Sequence, residues 1–108
     1  MGRRVDGHGD VRSDTAFLDI SLCLWLGERL SYLAKHARKV PVPFTDNNPH
    51  LTAEQRDMAW RAVLATHADI LIEYGDLPNV GSDKIVEVVR NAQDTLRFVA
   101  DWLPFLWD

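Results

Sequence analysis

Val40-Pro-Val-Pro43 ends any helix that reaches it. Proline has no N–H to donate, and it pushes the residue before it out of the helical region. Further breakers stand at Gly75 and Pro104. Between these marks run three segments whose apolar residues recur at helical spacing. A strand's alternation of apolar and polar residues is absent: Leu22, Leu24 and Leu26 alternate, but Cys23 and Trp25 fill the gaps. The spacing predicts an all-α chain, an antiparallel three-helix bundle. A short fourth helix is the one variation, placed in the N-terminal arm or in the first loop.

The three helices are expected over about 14–39, 52–74 and 82–103. The first has Ser13 or Asp14 as its N-cap, and Leu18, Leu22, Leu26, Leu30, Leu33, Ala34 and Ala37 as one broad apolar stripe. Lys35, Arg38 and Lys39 crowd its last turns, where the helix dipole favours cations. The second opens on a capping box, Thr52-Ala-Glu-Gln55, and Gly75 reads as its C′ residue. Its apolar face carries Ala59, Trp60, Val63, Leu64, Ile70, Leu71 and Tyr74, with His67 in the middle. In the third, Ile85, Val88, Val89, Ala92, Leu96, Val99 and Leu103 make a clean stripe. Glu87, Arg90, Asp94, Arg97 and Asp101 alternate in sign on the opposite, solvated face.

Residues 1–13 are polar and Gly-rich without periodicity and read as a flexible arm, leaving 14–108 as a single domain. The chain has 108 residues, 46% of them hydrophobic, enough for a core without metal or disulfide. One cysteine, Cys23, allows no internal disulfide and suits a reducing compartment. No apolar run approaches the about 20 residues of a membrane span, and the first residues lack the apolar centre of a signal peptide. A cytoplasmic protein with no membrane attachment is expected. A net charge of −4 argues against a general affinity for nucleic acid.

Two of the four Trp lie in Asp101-Trp-Leu-Pro-Phe-Leu-Trp-Asp108. Phe98 and Trp102 form a second apolar edge on the third helix and continue into Phe105 and Trp107. Phe17, Ile20 and Leu24 are a matching surplus on the first. The surplus has two readings. Either the tail folds back over the first half of the first helix, or these seven residues form a homodimer seam or partner site, since aromatic residues are favoured interface anchors.

Candidate chemistry is sparse. His67 on an apolar face reads first as a core histidine with one satisfied hydrogen bond. A Cys23–His67 dyad lacks a third, orienting residue. His8, His36, His50 and His67 have no ligand spacing, and no Cys pair exists, so no metal and no cofactor are expected. Glu54-Gln-Arg-Asp57 resembles one half of the paired carboxylate motifs with which all-helical nucleotide pyrophosphohydrolases of the MazG type hold Mg²⁺. That resemblance implies a small nucleotide hydrolase with Glu54 and Asp57 as ligands. The other half is missing, because Asp69 and Glu73 stand four apart on the outward side of their helix. Arg29, Lys35, Arg38 and Lys39 are candidate phosphate contacts for a nucleic-acid or regulator reading, although both loops are longer than a DNA-reading turn.

The expected function is non-catalytic: a small, homodimeric helical module that binds or occludes another protein. Phe17, Ile20, Leu24, Phe98, Trp102, Phe105 and Trp107 are its expected contacts. Motif-free helical chains of this size occur among phage and mobile-element proteins that inhibit or redirect host machinery, an analogy of size alone.

Overall fold

The computed structural model describes residues 17–107. They fold into α1 (Leu18–His36), α2 (Val42–Asn47), α3 (Ala53–Gly75) and α4 (Ile85–Trp102), with single 3-10 turns at Leu77–Asn79 and Leu103–Phe105. No strand occurs among the described residues, and the chain is an all-α bundle. The arm read over residues 1–13, with its cap at Ser13 or Asp14, lies outside the described residues. The short fourth helix is α2, in the first loop. Among the described residues no helix is long and apolar enough to cross a membrane.

The ends of the helices follow local chemistry. At α3 the capping box forms as read: the Thr52 hydroxyl accepts from the Gln55 N–H at 3.1 Å, and the Gln55 side chain accepts from the Thr52 N–H at 2.9 Å. α1 stops at His36, three residues before Lys39, and Ala37 turns extended with ψ 135°. Arg38 and Lys39 therefore stand outside the helix. Its last carbonyls are satisfied from α3 instead. Arg61 donates to the Ala34 carbonyl at 2.9 Å and to the Ala37 carbonyl, while its Nε donates to Asp57 at 3.0 Å. Gly75 stays inside α3, and Asp76 follows it with φ −101°. Its smallness serves packing rather than a left-handed turn, since the Leu24 side chain fills the space a Cβ would need.

α3 is the central element: α1 packs along one side of it and α4 along another, while α1 and α4 make little direct contact. The α1–α3 seam is built from small residues. Cys23, Gly27 and Ala34 of α1, Ala37 just after it, and Ala68 of α3 are all buried, with Leu30, Leu33, Leu64 and Leu71 between them. A Cβ on Gly27 would stand 2.9 Å from Ile72 Cγ1 and 3.1 Å from the Ala68 carbonyl oxygen, so the helices touch backbone to backbone there. At the far end Tyr74 donates to Asp19 at 2.5 Å. That bond pushes the phenol up to about 12 and holds the carboxyl below its usual range.

The α3–α4 seam is aromatic. Trp60, 2% exposed, meets Phe98 at 6.2 Å and Trp102 at 5.3 Å between ring centroids, and Phe44 of α2 covers it at 5.2 Å. α4 presents Val88, Ala92 and Thr95 as its buried line, and its charged face is exposed. On that face Arg97 pairs with Asp94 at 2.5 Å.

Two substitutions test these seams. Gly27→Val should lower unfolding stability by about 1–3 kcal/mol through overpacking, read as a lower urea midpoint. Arg61→Ala should cost about 1–3 kcal/mol, because it leaves carbonyls at the end of α1 without their charged donor, and amide exchange should rise selectively over 33–37.

Candidate functional site

Several of the polar residues with reactive side chains are held in the fold. His67 and Trp60, seven residues apart, lie on the side of α3 turned to α4. His67 Nδ1 is 2.8 Å from the Thr95 hydroxyl, and its ring stacks on Phe98 at 3.9 Å and 15°. Burial lowers its pKa from the ordinary 6.5, so the ring is neutral. Thr95 is fully buried, with this nitrogen as its side-chain partner. Cys23 belongs to the other seam, on the face of α1 turned to α3. Burial, then the Asp19 charge, pushes its thiol up, which keeps it protonated and a poor nucleophile. The structure does not bring Cys23 and His67 into a dyad.

Asp57, half of the Glu54-x-x-Asp57 pair, accepts from Arg61, whose guanidinium caps α1. Asp69 and Glu73 line a shallow, open depression with Thr66 and Ile70 on the outward side of α3. Among the described residues no group of three or more His, Cys, Asp or Glu is placed to hold a metal ion.

The four basic candidates have different surroundings. The Arg29 guanidinium lies 4.6 Å from the Trp25 ring centroid and meets Glu28 at 3.4 Å. Lys39 Nζ sits 5.4 Å from the Trp107 ring. Lys35 and Arg38 are exposed.

Of the seven residues expected at an interface, Phe98, Trp102 and Phe105 are half-buried in the aromatic cluster. Trp102 lies 6.3 Å from Phe44 and 5.9 Å from Phe105. Ile20 is half-buried and Leu24 leans on Gly75. Phe17 and Trp107 are exposed. The tail does not return over the first half of α1. With antiparallel α3 between them, α1 and α4 run parallel, so the tail arrives beside Lys39–Val42, where Phe105 and Trp107 help line a small pocket of about 160 Å³.

What stays open is a groove between the later turns of α1 and the end of α4, about 380 Å³ in volume. Leu26, Leu30 and Leu33 meet Val99 and Leu106 within it, and Trp25, Tyr32, Leu103 and Trp107 form its rim, with Arg29 among them. The rim is solvated: Trp25 is 49% exposed, Tyr32 60%, Leu103 65% and Trp107 59%. The Trp107 Nε1–H donates to the Pro104 carbonyl at 3.1 Å, which fixes the ring on the rim.

Leu18 and Leu22, read as part of the buried stripe, are 59% and 44% exposed. The geometry of the stripe explains this. Residues four apart advance by about 40° around a helix, so the line through 18, 22, 26 and 30 winds off the α3 side toward its N-terminal end. Leu18 and Leu22 then share a face with Trp25, Arg29 and Tyr32. That drift was the signal in the sequence.

No family model matches the chain, and no curated protein or solved structure matches it.

The His67 environment gives a pH prediction. Its folded pKa is lowered, so below about 6.5 the unfolded chain binds more protons than the folded one. Stability should be full above about 6.5, fall as pH drops toward the folded pKa, and level off beneath it. In urea titrations His67→Gln should flatten this slope. The lowered Asp19 acts in a separate window, below about 3.8.

Proposed function

We propose that this chain acts by binding protein, without catalysis, as a homodimeric module. One observation carries the reading. Leu18, Leu22, Trp25 and Tyr32 lie exposed along one side of α1, and Leu103 and Trp107 lie exposed beside its groove. A monomer rarely leaves so continuous an apolar surface in water, and tryptophan and tyrosine are common anchors of binding energy. The candidate reactive groups support the same view from the other side. His67 is neutral and bonded to Thr95, Asp57 is bonded to Arg61, and Cys23 is a buried thiol.

Such a module works by occlusion or scaffolding, as an inhibitor or regulator of a partner would, and a cytoplasmic setting suits its free buried thiol. Arg29 and Lys39 each lie over a tryptophan ring, Trp25 and Trp107, which favours a part in shaping the apolar surface over phosphate contact.

Light scattering behind size exclusion, over a dilution series, tests the dimer. A dimer should persist into the low micromolar range and respond little to salt between 50 and 500 mM, unlike phosphate binding. Leu22→Glu should weaken association at least about 30-fold, the scale of a hot spot, with an unchanged monomer fold by circular dichroism. Met58→Glu, at another exposed apolar residue, should leave association unchanged. A monomer at every concentration would sink the homodimer.

A further inference from the structure

The open face of α1 has a period of its own. Leu18, Leu22, Trp25, Arg29, Tyr32 and His36 are separated by four, three, four, three and four residues, and all six are exposed. That is the 3.5-residue repeat of a coiled-coil seam. It is distinct from the face turned to α3, which carries Cys23, Gly27, Leu30 and Ala34, all buried. α1 is thus packed on one face and presents a second face with helix-pairing period, which no other helix among the described residues covers. A seam of this period fits a helix rather than a flat sheet or a small ligand.

We infer that the helix seated there is α1 of a second copy, running antiparallel about a two-fold axis beside residue 27. This rests on the homodimer reading and specifies its geometry.

The charge on the seam selects the direction. In a parallel, in-register pair Arg29 would face the partner's Arg29 within an apolar layer, where like charges repel and desolvation is unfavourable. In the antiparallel pair Arg29 faces the partner's Trp25, and Trp25 faces the partner's Arg29. The guanidinium already lies 4.6 Å from a Trp25 ring within one chain, so the second ring extends a cation–π contact that exists. Glu28, bound to Arg29 at 3.4 Å, stays at the edge of the seam near the axis.

The groove selects the same direction. It runs along α1 from Trp25 to Leu33, so most of it lies on the C-terminal side of the seam's midpoint at residue 27. An antiparallel partner brings its first turns there, so Leu22 faces the partner's Tyr32 and Leu18 faces the partner's His36. Leu22 of each chain then enters the groove of the other, between Tyr32 and the Leu103–Trp107 wall, with Leu18 beyond the groove's end. A parallel partner would leave both leucines at the end of α1 away from the groove.

Cysteine cross-linking in a Cys23→Ala background tests this. Positions 22 and 32 are exposed, so the variants should fold, checked by circular dichroism. Under mild oxidation L22C/Y32C should give a covalent dimer joined by two disulfides, while L22C alone and Y32C alone should stay uncrosslinked. In each single variant the two thiols lie ten residues apart along the seam, about 15 Å, against the about 7 Å limit between Cα atoms of a disulfide. The same separation prevents a link within one chain. A covalent dimer from L22C alone overturns the inference in favour of a parallel seam. A dimer by light scattering that none of the three variants cross-links also overturns it and leaves the homodimer standing. A monomer at tens of micromolar removes both. If that monomer's tryptophan emission shifts to the blue on vesicles of one part phosphatidylglycerol to three parts phosphatidylcholine, the occupant of the face is a lipid surface.

Discussion

The contact of Gly27 with α3 is the constraint from which the arrangement follows. With no side chain at 27, the backbone of α1 comes against the Ala68 carbonyl and the flank of Leu71. The small residues on either side, Cys23 and Ala34, carry the same close spacing along the helix. On α3's other contact surface the opposite design holds: Trp60, Phe98 and Trp102 keep α4 at the distance that tilted aromatic rings need. One helix thus mediates between a tight seam and a wide one. α1 and α4 are each fixed to α3 rather than to each other, and the groove is the space that this leaves.

Much of the fold was legible because its signals were local. The capping box at Thr52 and Gln55 and the charged face and middle stripe of α4 depend on neighbours within one or two turns. By contrast, α1 stops at His36 ahead of Pro41 and Pro43, which open α2 instead, and the stripe's ends, Ile85 and Leu103, are exposed. What was not legible depended on long-range partners. Arg61 closes the end of α1 from 24 and 27 residues away, a role that the basic residues at 35, 38 and 39 seemed in the sequence to fill. Phe44, in a stretch read as loop, lies against Trp60 because α2 folds back on the start of α3. The landing place of the tail follows from topology alone: helices separated by one antiparallel neighbour run parallel.

The candidate surface was legible in kind but not in place. An apolar surplus on α1 and on the end of α4 was evident from composition and period. Which residues turn inward was decided by the aromatic seam, which takes Phe98, Trp102 and Phe105 and leaves Trp107 outside. On α1 the open face belongs to Leu18, Leu22, Trp25 and Tyr32 rather than to Ile20 and Leu24, because a leucine every fourth residue circles the helix instead of running along it. His67 is the one site residue whose environment matched the plain reading of its position, a core histidine with one hydrogen bond.

The dependence of α4 chiefly on α3 has a dynamic consequence. A helix held mainly by one seam can detach with little disturbance of α1 on α3, so the molecule has two levels of opening rather than one. Loss of α4 would bare Trp60, Leu96 and the Thr95–His67 pair while the Gly27 contact stayed closed. The amides of 85–102 would then exchange through this partial opening, and those of 23–34 and 60–71 only through complete unfolding. The small-residue seam is in this sense the last part of the molecule to remember its fold.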